Sequence, residues 1–261
     1  MARVRLDVEL VNQGFFATTS DAMRAVMAGD VSTTNRKLTS AGEQVKPGIE
    51  LHVRGGNPYV SRGGLKLERG LSACNVNPRG CACVDVGCST GGFTDCLLRH
   101  GATSVLSVDV GYAQFDWSLR NDTRVTLLER TNIVDVATPE RRGTIDLAVC
   151  DVSFTSVTTV AGAVWDLLRE KGLFLTLVKP QFEAARDQVG EGGIVRDPAV
   201  WLACLEMVSK DLSHKGFAVR DVCASPLVGH KGNHEFLLLA SKGGRSAAVD
   251  FSKAIAQITT S

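Results

Sequence analysis

Four ionisable side chains in this 261-residue chain stand where a catalytic group would be assembled: Lys66, Asp151, Lys179 and Glu235. Asp151 follows an apolar run in CDVSF, Lys179 ends another in LVKPQF, and Glu235 opens NHEFLLL. A hydroxyl that acts as the nucleophile in a direct displacement must shed its proton. A lysine can take that proton if desolvation or a neighbouring cation lowers its pKa. Lys66 beside Lys179 supplies such a pair. Asp151 and Glu235 would orient the two ammonium groups and keep them from being buried without partners. Alignment and a base suffice for this chemistry, so no metal is called for. Taken singly, each residue has a plainer reading: a solvated helix face for a lysine, a helix cap for Asp151, an edge-strand charge for Glu235.

The second group is the segment 84–94, VDVGCSTGGFT. It reads as an apolar strand, a glycine-rich turn and the start of a helix. Asp85, Gly87, Ser89, Thr90, Gly91 and Gly92 are its candidate cofactor-binding residues. Glycine permits close backbone approach and dihedrals that a side chain forbids. Asp109, with Val110 beside it, ends the next strand about 20 residues on, where a ribose-binding carboxylate belongs. A dinucleotide fingerprint would read GxGxxG against a pyrophosphate. Here the pattern is DxGxxxGG, and a carboxylate at Asp85 suits a cationic sulfonium amino acid better than phosphates. The combination points to S-adenosylmethionine and against an NAD-dependent oxidoreductase.

Elements that would position these residues can be read from periodicity. After the Pro78-Arg79-Gly80 turn, apolar strand runs at 81–86, 104–108, 125–128, 146–150, 173–178, 217–224 and 235–239 alternate with helices near 92–100, 156–171 and 198–215. That alternation predicts a doubly wound, mostly parallel α/β sheet of the Rossmann-like methyltransferase class. A helix from Gly63 through Leu65, Leu67 and Leu71 carries Lys66. Residues 1–55 read separately: a short helix over 7–14 ending at Gly14, then a second capped by Thr19 or Ser20. The second helix has Ala22, Ala25, Val26 and Met27 inward and Gly29 at its end. A strand over 49–53 follows the Pro47-Gly48 turn. Residues 56–62 form a linker, 63–242 the methyltransferase domain, and 243–261 a polar tail without an assigned role.

Composition narrows the class further. A hydrophobic fraction of 44% with 22% charged residues is that of a globular protein, and the net charge of +1 neither announces nor excludes a nucleic-acid partner. No apolar run is long enough to span a membrane. The segment MARVRLDVEL carries charges where a secretory signal needs an apolar core, which predicts a cytoplasmic protein. The 8 cysteines lack a CxxC pair and read as reduced core residues.

The motifs SRGGLKL, VDVGCSTGGFT, VDVGYAQ, LRNDTRVTLLERTN, CDVSF, LVKPQFE, GEGGIVRD and GNHEFLL together closely resemble the TlyA family. Its members are bacterial rRNA ribose 2′-O-methyltransferases, also catalogued as hemolysins. The similarity runs from about Arg3 to about Leu239. The resemblance implies an FtsJ-like domain whose Lys-Asp-Lys-Glu tetrad falls on Lys66, Asp151, Lys179 and Glu235. It implies that Asp109 and the 87–92 loop hold S-adenosylmethionine, with Asn132 near the adenine. RLDVELVNQG and SDAMRAVMAGDV resemble an S-four-type (αL) RNA-binding module. The implied substrate is a cytidine ribose of rRNA within an assembled ribosomal subunit. The usual basic, glycine-containing hairpin of that module stands here as STTNRKLTSAGEQV, with only Arg36 and Lys37 positive. A membrane-active hemolysin or a non-catalytic ribosome-binding factor are the rival readings. The first lacks a signal, a span or a basic amphipathic helix; against the second stand all four tetrad residues.

Phosphate contacts supply most of the affinity for RNA. The candidates are Arg3, Arg5, Arg24, Arg36, Lys37, Arg62 and Arg69, the last two expected at the mouth of the site. A target ribose would be presented by flipping its nucleotide out. Phe154 is a candidate stacking surface, with core packing the plainer expectation for it and for Tyr59.

Overall fold

Contacts divide the chain into one unit of residues 1–58 with 227–232 and another of 59–226 with 233–261. The computed structural model describes residues 3–13, 15–16, 18–55, 57–229 and 232–259. Gly14, expected to stop the first helix, and Gly56, in the expected linker, lie outside the described residues.

In the small unit, β1 (Val4–Arg5) leads directly into α1 (Leu6–Asn12), followed by α2 (Thr19–Met27). Three two-residue strands follow, β2 (Val31–Ser32), β3 (Gln44–Val45) and β4 (His52–Val53). β1 pairs with β3 and β2 with β4, both antiparallel. Leu6, Leu10, Ala22, Val26, Val31, Leu38, Val45 and Leu51 make the core. Glu9 is buried yet satisfied: its Oε1 accepts from Gln13 Nε2 at 2.6 Å and from the Gly48 N–H at 2.7 Å, which ties α1 to the Pro47-Gly48 turn. Three expectations change here. The cap of α2 is Thr18, whose hydroxyl accepts from the Asp21 N–H, worth about 1 kcal/mol. Met27 is 76% exposed, because one step of about 100° beyond Val26 carries it off the buried stripe. The strand expected over 49–53 shrinks to β4 alone.

The large unit opens with α3 (Gly63–Ala73) and β5 (Ala82–Val86). Then come α4 (Gly92–Arg99), β6 (Ser104–Val108), α5 (Trp117–Arg120), β7 (Val125–Leu128), α6 (Ile133–Val136) and β8 (Ile145–Cys150). The remainder is α7 (Ala161–Leu167), β9 (Leu168–Val178), α8 (Pro180–Glu183), α9 (Pro198–His214), β10 (Phe217–Ala224), β11 (Phe236–Lys242) and α10 (Phe251–Thr259). Sheet order is β10-β11-β9-β8-β5-β6-β7. Only β11 runs against the rest, being antiparallel to both β9 and β10. The central strands are buried on both faces, as a sheet covered on each side by helices requires.

Two element boundaries depart from expectation. The helix expected over 156–171 ends at Leu167, where Leu168 turns extended (φ −69°, ψ 137°) and begins a strand of 11 residues. The tail after Lys242 contains α10, whose Ala254 and Ile255 are buried in the core against α9 and β10. Its apolar positions Phe251, Ala254, Ile255 and Ile258 keep helical spacing, a signal that the polar residues around them obscured.

Candidate active site

In an open α/β sheet the ligand crevice lies beyond the carboxyl ends of the strands, where the winding direction reverses. Here β5 is flanked by β6 on one side and β8 on the other, so the reversal falls at Val86 and Cys150. A cavity of about 780 Å³ opens there, lined by the ends of β5, β6 and β8 and the loops that follow them. Two charged residues, Asp109 and Asp151, line it, and no lysine or arginine does. Such a wall accepts a cation and repels a pyrophosphate. Asp109 is held by two backbone donors, Ser89 N to Oδ2 at 2.7 Å and Gly111 N to Oδ1 at 2.6 Å, which fix the carboxylate for further hydrogen bonds.

Of the expected cofactor residues, Gly87, Ser89, Asp109, Val110, Asn132 and Asp151 line the cavity. Asp85, Thr90, Gly91 and Gly92 do not. The glycines are demanded by the protein rather than by the cavity. A Cβ on Gly87 would lie 2.8 Å from the Asp151 carbonyl, and φ is +81° there. A Cβ on Gly91 (φ +95°) would meet Leu119 Cδ1 at 2.6 Å, and one on Gly92 would meet Ser61 Oγ at 2.2 Å. Asp85 is fully buried beneath the loop. Its Oδ2 accepts from Thr94 Oγ1 at 2.7 Å, while Oδ1 has no hydrogen-bond partner. Burial above all pushes its carboxyl up to about 7. Asn132 caps α6 through its side-chain oxygen.

The four tetrad residues converge by register. Because β11 is antiparallel, Phe236 pairs with Val178, which sets Glu235 beside Lys179 at the end where Asp151 follows β8. Lys66 reaches them from α3. Gly70 lies one turn further along the same helix face, and a Cβ there would stand 2.8 Å from Leu237 Cδ2. Leu237 and Glu235 share one face of the chain entering β11. The close approach of Gly70 to Leu237 therefore delivers Lys66 to Glu235, with Nζ 2.6 Å from Oε2. Lys179 Nζ stands 2.6 Å from Asp151 Oδ1 and donates to Ser153 Oγ at 2.9 Å. Sequence reasoning missed Ser153, because nothing in CDVSF marks its hydroxyl as facing a lysine.

The expectation that apposed cations would depress the lysines fails for Lys66. Burial, joined by the Arg62 charge, lowers its pKa, but Asp151 and Glu235 outweigh both and the net shift is upward. Asp151 goes down: its burial opposes ionisation, and Lys66 and Lys179 together prevail. The group is two ion pairs with Lys66 and Asp151 firmly charged.

Elsewhere, Phe154 is 92% exposed with φ +64°, and lines the cavity, which overturns the core reading. Tyr59 is packed as expected, and a Cβ on Gly64 would lie 2.2 Å from its ring. Arg62 precedes α3 and acts on Lys66 electrostatically. Arg69 is exposed and exerts its field on Cys74 and Cys223. Arg3, Arg5, Arg24, Arg36 and Lys37 are exposed in the small unit. All eight thiols are free, seven of them buried. Among the described residues, no cluster of His, Cys, Asp or Glu suits a metal, and no helix is long and apolar enough to cross a membrane.

A seven-stranded sheet with one reversed strand, an acidic cavity at the switch point and a fixed Asp109 carboxylate define an S-adenosylmethionine-dependent methyltransferase. The profile of the FtsJ-like methyltransferase family matches residues 59–242, and the chain belongs to that family. It is 44% identical over 238 residues to YqxC of Bacillus subtilis, provisionally named an rRNA methyltransferase, with 90% of this chain and 84% of that protein covered. It is 39% identical to the 16S/23S rRNA (cytidine-2′-O)-methyltransferase TlyA of Mycobacterium tuberculosis, with 90% and 89% covered. A solved structure from Streptococcus thermophilus, carrying a provisional hemolysin name, superposes with a TM-score of 0.78 at 38% identity, covering 100% of this chain and 97% of that one.

Proposed function

We propose that the chain methylates the 2′-hydroxyl of a cytidine ribose in ribosomal RNA, acting in the cytoplasm on an assembled ribosomal subunit. The observation that carries this reading is the double ion pair Lys66–Glu235 and Lys179–Asp151 beside a cavity fit for a cationic cofactor. The names of the relatives supply the nucleic acid and the ribose position. Bound S-adenosylmethionine supplies an electrophilic methyl group on sulfur. Asp109, its carboxylate fixed by two backbone donors, would take the cofactor's ribose hydroxyls, Asn132 would contact its base, and the unpartnered Oδ1 of Asp85 is a buried acceptor beneath the loop. Lys66 is held as an ammonium by two carboxylates, so the residue left to receive the hydroxyl proton is Lys179. It acts in its neutral form, having released its own proton before the step, with Asp151 and Ser153 steering its Nζ. Phe154, exposed at the cavity wall, is a platform on which a flipped base can stack. Residues 1–55 serve as an S-four-type RNA-binding module, 56–62 as a linker, and 63–242 as the catalytic domain. Arg62, just before α3, and Arg69, on it, add phosphate contacts.

Ribosomal subunits lacking the modification, incubated with methyl-labelled S-adenosylmethionine, test the proposal. Label should enter ribose with the wild-type protein and be lost with Lys179→Ala. Absence of label in either subunit, with cofactor binding measured, overturns the rRNA assignment.

A further inference from the structure

Two short segments carry the Asp151–Lys179 pair, one over 151–157 after β8 and the other over 179–183 entering α8. They are joined by three successive contacts. Lys179 meets Asp151 and Ser153, as described. The Phe182 ring lies 5.3 Å from that of Phe154, and Lys179 Nζ lies 5.8 Å from the Phe182 centroid. The third contact is Glu183, whose Oε2 accepts from Ser156 Oγ at 2.5 Å and whose Oε1 accepts from the Val157 N–H at 2.9 Å.

Glu183 has no cation within ion-pair distance among the described residues. Burial chiefly, with Asp211 of α9 adding to it, holds its pKa above the ordinary value. A desolvated carboxylate without a counter-ion opposes folding. Its two hydrogen bonds both go to the segment that carries Asp151, Ser153 and Phe154. That segment needs holding: Phe154 keeps a left-handed backbone that a bulky residue adopts only when its surroundings dictate it.

We propose that Glu183 is a positioning residue for methyl transfer, a clamp that sets the spacing between the Asp151–Phe154 segment and Lys179. The clamp makes one rigid wall of the cofactor cavity and the proton-accepting lysine. The proposal rests on the methyl-transfer reading above. A displacement of about 1 Å at a reacting centre costs on the order of a hundredfold in rate, so a tether of this kind acts on turnover more than on stability.

The test uses Glu183→Ala and Glu183→Gln in the full chain. Glutamine can still accept from Val157 through its amide oxygen and donate to Ser156 through its nitrogen. Hydrogen exchange across 151–158 is measured first and needs no activity. It should rise in Glu183→Ala and stay near wild type in Glu183→Gln. Turnover is then measured on undermodified subunits at saturating cofactor and expressed per cofactor-binding molecule. Glu183→Ala should lose kcat by about tenfold or more, and Glu183→Gln should stay within about threefold of wild type, the scale of one weakened hydrogen bond. A merely structural role would lower the cofactor-binding fraction and leave turnover per binding molecule unchanged. That result, or unaltered exchange in Glu183→Ala, or glutamine as slow as alanine, overturns the clamp. A wild-type protein that transfers no label overturns the methyl-transfer reading instead, and the exchange result still decides the clamp.

Discussion

Charge is held in opposite ways on the surface of the small unit and at the candidate site of the large one. In the small unit, Arg5 pairs with Asp7, Arg24 with Asp21 and Arg36 with Glu43, each over a few residues of chain and with the guanidinium more than half exposed. In the large unit, Lys66 and Glu235 are 169 positions apart, and their side chains are 14% and 3% exposed. Exposed pairs contribute little to stability and are screened by salt, so they can exchange a carboxylate for a phosphate. Buried pairs cannot open without stranding a charge away from water. The first arrangement suits a reversible grip on a polyanion, and the second suits a fixed catalytic geometry.

The largest expected effect sharpens that contrast. Lys179→Ala should lower methyl transfer by about 10²–10⁴-fold, the range for losing a proton-accepting group, with cofactor affinity retained by calorimetry. Retained turnover would move the base elsewhere. Next in size is stability. Lys66→Met leaves Glu235 buried and unpaired and should cost about 3–5 kcal/mol in denaturant unfolding. Lys66→Met combined with Glu235→Leu should recover much of that loss, because both charges are gone. Arg36→Ala should leave the unfolding midpoint nearly unchanged. If Lys66→Met and Arg36→Ala prove equally mild, the contrast between the units fails.

Asp85 gives a pH test of the buried region. Its folded pKa, about 7, lies above the ordinary 3.8. Between those values the folded state binds more protons than the unfolded one, so stability should fall as pH rises through that window. Asp85→Asn removes the titrating group and should flatten that part of the curve. Unfolding free energy of the cofactor-free protein, measured across the window in both forms, checks it; parallel curves would mean that Asp85 is not the group responsible.

Much of this was legible in the sequence, for identifiable reasons. Strand ends follow from apolar runs, so the sequence alone places Asp151, Lys179 and Glu235 at one end of the sheet. Lys66 was harder, since its position depends on Gly70 allowing α3 close to Leu237. Gly91 and Gly92 are crowded by Leu119 and Ser61, and sequence does not say whether a glycine makes room for protein or for ligand. Ser153 and Glu183 were invisible: a serine and a glutamate without periodic context reveal nothing of the hydrogen bonds they make across 26 or 27 positions. Phe154 reads as core in the sequence because a phenylalanine after an apolar strand usually is, and the positive φ that accompanies its exposure is set by tertiary contacts.

The smallest effect concerns the hairpin of the small unit. Thr33 N–H donates to the Arg36 carbonyl at 2.8 Å, and Ser32 bridges to Lys37, so Arg36 and Lys37 project from a tight turn. Arg36 is engaged with Glu43, whereas Lys37 has no carboxylate within ion-pair distance among the described residues. Each phosphate contact adds about 0.9 to the slope of log affinity against log salt. If the hairpin grips RNA, Lys37→Ala should reduce that slope by about one and weaken binding a few-fold. Arg36→Ala should do less, because in the wild type part of its interaction must first be taken from Glu43. Glu43→Ala, which frees Arg36, should bind rRNA more tightly at low salt. An unaltered salt slope in Lys37→Ala would remove the hairpin from the interface and leave the grip to the arginines of β1 and α3.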